Sequence, residues 1–164
     1  MPPALHIREA RENDLEQVNR LLIETWRDTY DPIFGRAKVD EITAQWHAVE
    51  VLKDQLNSPR SSFLVAEACG QIVGHALVIQ APDNALLLAR LYVLPSHQHQ
   101  GIGTRLLEHA LALHPVTERL FLTVEAENCR AVAFYRKHEF AFCTEEIEGG
   151  SLIWRMERRL PPTR

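Results

Sequence analysis

The apolar positions of this chain recur with helical spacing in some segments, and this predicts four helices. In the first, Leu15 and Leu22 lie on one face, Asn13 or Asp14 can cap the start, and Asp31-Pro32 interrupts the end. The other three are predicted from near Asp40 to Leu56, from the glycines at 101 and 103 to near His114, and from Asn128 to about His138.

Shorter runs rich in strand-forming residues predict a sheet of about seven strands. They are Leu5 to Arg8, Ser62 to Ala68, Ile72 to Ile79, Leu86 to Leu94, Leu120 to Val124, Phe140 to Ile147 and Leu152 to Met156. Hairpin turns are predicted at Gly70-Gln71 and Gly149-Gly150. The predicted order is β-α-α-β-β-β-α-β-α-β-β, a mixed α/β class. No repeat or linker divides the chain, so residues 1–164 are expected to form one domain.

Composition narrows the classes of function. The net charge is −4 over 164 residues, without the basic excess of a nucleic-acid-binding domain. We therefore expect no nucleic-acid partner, and no membrane partner because no apolar run approaches a membrane span. The N-terminus lacks a signal-peptide pattern, and Cys69, Cys129 and Cys143 form no metal-ligand spacing. A cytoplasmic protein with reduced thiols and no metal is the expectation.

The stretch between the Leu86 to Leu94 strand and the following helix carries the strongest chemical signal. Gly101 and Gly103 stand where a helix begins, so backbone N–H groups can approach an anion such as phosphate. The triphosphate P-loop is excluded because no Gly-Lys-Ser/Thr follows, and the dinucleotide fingerprint because Leu106 replaces its third glycine. A plain strand–loop–helix connection remains the alternative at this point.

Two segments together identify a family. Gln98-x-x-Gly101-x-Gly103 resembles the Gln/Arg-x-x-Gly-x-Gly/Ala motif of the GNAT superfamily of N-acetyltransferases. About thirty residues later, the segment 128–140 resembles the family's Asn-x-x-Ala-x-x-Phe-Tyr-x-x-x-Gly-Phe pattern, with Glu139 in place of the glycine. The resemblance implies the GNAT fold, in which a central, mostly antiparallel twisted sheet is flanked by helices. It also implies acetyl-CoA as co-substrate.

The resemblance also implies which residues hold acetyl-CoA. Backbone groups of Leu91, Tyr92 and Val93 would contact the pantetheine arm and the thioester. Asn128 would contact the same arm or cap the helix beside it. The loop and helix start would bind the pyrophosphate through Gln98, His99, Gln100, Gly101, Ile102, Gly103 and Thr104.

Acetyl transfer to an amine needs a base for the amine and an acid for the departing thiolate. Tyr135 matches the family's usual general acid, and a packed aromatic is the alternative. Many members carry the base on the strand before the loop, but Leu87 and Ala89 stand there and cannot accept a proton. Glu125 is the preferred base, either directly or through water, and an ordinary sheet-edge residue is the alternative. His75, His97 and His138 are weaker candidates.

Aromatic and acidic residues in the first two helices suggest the acceptor. Trp26, Asp28, Tyr30 and Asp31, with Phe34 and Trp46 nearby, would suit a cationic amine, or the rings could simply pack on the sheet. The predicted function is acetylation of a primary amine of a small, polyamine-like molecule. Acetylation of a protein or peptide, and a non-catalytic module that binds coenzyme A, remain open, as does a homodimer.

Overall fold

The computed structural model describes residues 4–161. The strands are β1 (Leu5–Glu9), β2 (Ser61–Ala68), β3 (Gln71–Ala81), β4 (Ala85–Val93), β5 (Arg119–Glu125), β6 (Ala141–Glu148) and β7 (Ser151–Arg159). The helices are α1 (Leu15–Phe34), α2 (Arg36–Trp46), α3 (Val49–Leu56), α4 (Ile102–Ala112) and α5 (Cys129–Lys137). Short 3-10 turns lie at Glu12–Asp14 and Pro95–His97. The mixed α/β class and the seven strands are confirmed.

The prediction of four helices was wrong, because residues 4–161 form five. The segment expected as one helix from Asp40 to Leu56 breaks at His47 and Ala48, whose backbone leaves helical geometry. Asp31-Pro32 does not interrupt α1, which continues to Phe34 with the proline inside its last turn. A proline there removes only one backbone donor, and Gly35, with a φ of 83°, ends the helix.

The strands form one sheet in the order β1-β2-β3-β4-β5-β7-β6. Strands β4 and β5 are parallel and pair over three residues, from Ala85 opposite Arg119 to Leu87 opposite Phe121. The pairs β1–β2, β5–β7 and β6–β7 are antiparallel. By internal contacts, the described residues divide into two compact units, 4–78 with 90–113 and 79–89 with 114–161.

In the first unit, α4 packs against β3 at a glycine. A Cβ atom on Gly74 would lie 3.0 Å from Cδ1 of Leu106 and 3.2 Å from Cγ2 of Ile102, both buried side chains of α4. These distances are too short for an ordinary contact, so a glycine lets the helix approach the strand closely. The turn before α1 is held by Asp14, which accepts from the Arg11 amide and pairs with Arg8, each at 2.7 Å.

In the second unit, β5 and β7 supply the core and β6 lies at the edge. Leu120, Leu122 and Met156 are fully buried, whereas every residue of β6 is exposed. None of the helices within residues 4–161 has the length and apolar character needed to cross a membrane.

Candidate active site

The glycine loop begins with a side chain that closes it onto the preceding strand. Gln98 donates from Nε2 to the carbonyl oxygen of Val93 at 3.0 Å, and the amide of Leu94 donates to Val73 on β3 at 2.9 Å. His99 and Gly101 then adopt left-handed backbone angles, with φ of 64° and 79°. The loop therefore turns sharply into α4 from an anchored strand end.

The start of α4 faces open space. A Cβ atom built on Gly101 would meet nothing within 4 Å, and this residue is exposed at the N-cap position. The amides of Ile102 and Gly103 occupy the first two helical positions, which have no carbonyl acceptor within the helix. The arrangement suits a phosphate group, since the N–H groups of a helix start lie at the positive end of the helix dipole and the space around the Cα of Gly101 is open.

The end of β4 presents both backbone and an aromatic ring. Leu91, Tyr92 and Val93 are half-buried. The ring of Tyr92 packs against the buried cluster of Trp26, Tyr30 and Val39, and burial raises the pKa of its hydroxyl. The backbone of these residues thus lies immediately before the glycine loop, on a strand that the aromatic cluster holds in place.

In the second unit, Asn128 starts α5. Its Oδ1 accepts from the amide of Ala131 at 3.2 Å, and its own amide donates to the carbonyl of Glu125 at 3.0 Å. The side chain is therefore a helix cap, one of the two roles that the sequence left open for it.

Tyr135 lies on the last full turn of α5, half-buried. Its ring meets Phe140 edge to face at 5.5 Å between centroids, and its carbonyl accepts from the amides of His138 and Phe140, each at 3.0 Å. Glu139 takes the left-handed conformation, with a φ of 70°, that the family motif usually assigns to glycine. The substitution at 139 therefore preserves the helix end.

Glu125 closes β5 and is the carboxylate of greatest chemical interest in the second unit. Burial raises the pKa of Glu125, and the negative charges of Glu127 and Glu148 raise it further. A raised pKa brings a carboxylate closer to the range in which it can accept and release a proton near neutrality.

The three histidines named as weaker base candidates each have another hydrogen-bond partner. In the first unit, His75 is fully buried, its Nδ1 contacts the carbonyl of Leu64 at 2.9 Å, and burial lowers its pKa well below the usual value. His138 contacts the carbonyl of Phe134 through Nδ1 at 2.8 Å. His97 lies beside the hydroxyl of Ser96, at 2.8 Å.

The residues expected to recognise the acceptor divide into buried and exposed members. Trp26 and Tyr30 pack against each other at 4.4 Å between ring centroids and are 8% and 5% exposed. Asp31 is paired with Arg36 at 2.7 Å, and Asp28 is exposed. The first unit therefore holds the acceptor candidates and the glycine loop, whereas Glu125, Asn128 and Tyr135 belong to the second.

One group of polar residues in the first unit was missed by sequence reasoning. Arg90, on β4, is only 8% exposed and donates to His75 at 3.1 Å and to Gln55 of α3 at 2.6 Å. His47 is also buried, and burial together with the charge of Arg90 lowers its pKa to about 3. The available signal was an arginine inside an apolar strand segment, a residue type rarely buried without a partner.

Comparison with known proteins shows to which family the chain belongs. The model of the acetyltransferase (GNAT) family matches residues 16–140, a span that includes the glycine loop and the segment from Asn128 to Phe140. The chain is a GNAT-family N-acetyltransferase. It is 31% identical over 158 residues to "Probable N-acetyltransferase Rv2775" of Mycobacterium tuberculosis, with 94% of this chain and 87% of that protein covered.

Three further known proteins match nearly the whole chain. A spermidine N(1)-acetyltransferase of Thermoplasma acidophilum is 27% identical, covering 95% of this chain and 98% of that protein. The crystal structure of PaiA N-acetyltransferase from Thermoplasma acidophilum in complex with coenzyme A has a TM-score of 0.86 and 25% identity, with 96% and 99% covered. The ribosomal-protein-S18-alanine N-acetyltransferase of Escherichia coli shares the fold at a TM-score of 0.73 and 18% identity, over 95% and 94%.

Proposed function

We propose that the protein moves an acetyl group from acetyl-CoA to the primary amine of a small molecule. The observation that carries this proposal is the open space in front of Gly101 and the start of α4, where amides and the helix dipole suit a pyrophosphate. The PaiA relative of similar fold, which was crystallised with coenzyme A, supports the same donor.

The reaction requires a neutral amine nitrogen to attack the thioester carbonyl carbon. A C–N bond forms, the C–S bond breaks, and the amine loses a proton while the thiolate gains one. We assign the first proton to Glu125, acting through a water molecule, because burial and two neighbouring carboxylates raise its pKa. The hydroxyl of Tyr135 is assigned as the acid that protonates the thiolate.

A small acceptor is supported by the relative named for spermidine acetylation, which matches nearly the whole chain. Attraction of a cationic amine by the acidic residues of the first helix has weaker support, because Asp31 is already paired with Arg36. Acetylation of a protein or peptide, and binding of coenzyme A without catalysis, are the competing functions that an experiment has to separate.

The test combines calorimetry with acetyl-CoA and an assay for released thiol. The acceptor panel contains polyamines, amino acids, aminoglycosides and peptides. We expect binding of acetyl-CoA and thiol release with small amines. Release with peptides alone would favour a protein acceptor, and binding without release would favour a non-catalytic module. Absence of binding would contradict the assigned role of the loop.

A further inference from the structure

Arg90 is a buried cation whose neighbours are all neutral. Nε donates to Nε2 of His75 at 3.1 Å, one Nη donates to Oε1 of Gln55 at 2.6 Å, and the guanidinium carbon lies 5.8 Å from the centre of the Phe63 ring. Among the described residues, no carboxylate pairs with Arg90. Buried charges in proteins are ordinarily paired, so this arrangement leaves a counter-charge to be supplied.

The guanidinium also has unused donors. An arginine carries five N–H groups, and the bonds to His75 and Gln55 engage two of them. Its Nη1 donates to none of residues 4–161, and 8% of the surface of Arg90 stays exposed. A carboxylate accepts hydrogen bonds from guanidinium nitrogens in pairs, so the free edge has the shape and charge for such a partner.

His75 holds this guanidinium in one orientation. Its Nε2 accepts from Arg90, so the ring proton lies on Nδ1 and is donated to the carbonyl of Leu64. Burial lowers the pKa of His75 well below its usual value, and the ring stays neutral. His75 is thus a positioning residue that adds no negative charge to balance Arg90.

The position of Arg90 on β4 supports a contact with the acceptor. It directly precedes Leu91–Val93, the segment expected to contact the thioester, and Tyr92 lies two positions along on the same face of β4. Nδ1 of His47 is also buried, with no hydrogen-bond partner among residues 4–161. Two aspartates near the aromatic cluster in sequence, Asp31 and Asp40, are paired with Arg36 and Arg27, and Asp28 between Trp26 and Tyr30 is exposed.

We propose that Arg90 binds a carboxylate of the acceptor, so that the preferred substrates are small amines that also carry a carboxylate, such as free amino acids. The inference rests on the proposed function and narrows its acceptor class. It differs from a polyamine acceptor, which has no carboxylate to pair with Arg90.

The decisive comparison uses the unmodified protein and acceptors that differ only in the carboxylate. The pairs are ornithine with putrescine, lysine with cadaverine, and tyrosine with tyramine, with lysinamide as a neutral analogue that resembles a peptide. We expect kcat/KM for the carboxylate member of the preferred pair to exceed that of its partner by roughly 10- to 100-fold. Equal or greater kcat/KM for the decarboxylated amines or for lysinamide would overturn the proposal.

Arg90→Gln then tests whether this residue causes the preference. The ratio of kcat/KM within a pair should fall to within about twofold of unity, whereas the dissociation constant for acetyl-CoA should stay the same. Arg60→Gln removes an exposed arginine and should leave the ratio unchanged. A purely structural role would lower kcat/KM for both members equally and keep their ratio, which would contradict the proposal.

A binding measurement on the unmodified protein tests the proposal even if the variant fails to fold or the acceptors turn over slowly. The Nε–H of Arg90 is held by His75, so its NMR signal in the unmodified protein should shift on addition of N-acetyl-lysine but not of N-acetyl-cadaverine. Absence of a shift with either would overturn the inference. Failure to bind acetyl-CoA would instead overturn the proposed function.

Discussion

Nε of Arg90 donates to Nε2 of His75 across 3.1 Å, and the ring of His75 is bonded on its other side to the carbonyl of Leu64. The pair joins two strands of the first unit through neutral histidine and charged arginine. It fixes the tautomer of the histidine and uses one of the five arginine donors. We expect both the stability of the first unit and its selectivity among acceptors to depend on this hydrogen bond.

Replacing His75 should therefore destabilise the protein and loosen its selectivity. His75→Leu leaves Nε–H of Arg90 and the carbonyl of Leu64 without partners, and we expect a loss of about 2–4 kcal/mol in the free energy of unfolding. Urea denaturation measures it, with exposed His6→Leu as the control that should change little. The kcat/KM ratio within each carboxylate pair should fall as well, and an unchanged ratio would remove the positioning role.

The pH dependence of stability should reflect His47. Burial and Arg90 lower its pKa from 6.5 to about 3 in the folded protein, so between these values the unfolded chain binds more protons. Stability is therefore fully present above pH 6.5 and falls as the pH drops toward 3, by up to about 4 kcal/mol from this residue. Urea denaturation from pH 4 to 8 should show the loss, and His47→Phe should make the profile less steep, with the remaining slope due in part to His75, whose pKa burial also lowers. An equally steep profile in the variant would exclude His47 as the cause.

Gly74 should not tolerate a larger side chain. Its Cβ would lie 3.0 Å from Leu106 and 3.2 Å from Ile102, so Gly74→Val has to push α4 away from β3. We expect a loss of at least about 2 kcal/mol, with Gly74→Ala less severe. Thermal and urea unfolding measure both, and a stability unchanged by valine would show that the helix can shift at little cost.

A matched pair of glycine variants separates the loss of phosphate binding by the loop from the effect of backbone strain. Gly101→Ala places a methyl group in open space at the start of α4, and we expect acetyl-CoA to bind at least about 10-fold more weakly. Gly70→Ala is a matched control, because Gly70 also has a positive φ, 74°, and open space at Cβ. Both variants should lose about 1 kcal/mol of stability. Equal acetyl-CoA affinities in calorimetry would contradict the loop assignment.

Tyr135→Phe removes the assigned acid while keeping the ring that contacts Phe140. We expect kcat to fall by roughly 100-fold, with the dissociation constant for acetyl-CoA changed by less than about twofold. Thiol release and calorimetry measure the two quantities. Unchanged turnover would remove Tyr135 from the mechanism.

Local sequence patterns predicted most of the strands and helices, because these elements depend mainly on residues close in sequence. Helical and alternating periodicity located all seven strands, and the spacing of Gly101 and Gly103 after a strand predicted a loop that opens a helix. The family resemblance lay in two such segments. The break at His47-Ala48 was missed, because neither residue is a strong helix breaker and the turn carries no glycine or proline.

By itself, the sequence determined the fold class, the family and the position of the glycine loop, since each depends on short-range spacing. Only the tertiary structure decided that Gly74 allows the approach of Leu106, that Trp26 and Tyr30 are buried, and that Arg90 has no carboxylate partner among residues 4–161. Arg90 is 15 residues from His75 and 35 from Gln55. At such separations, the packing of strands and helices determines which residues are buried and which form hydrogen bonds. Local sequence patterns do not contain this information.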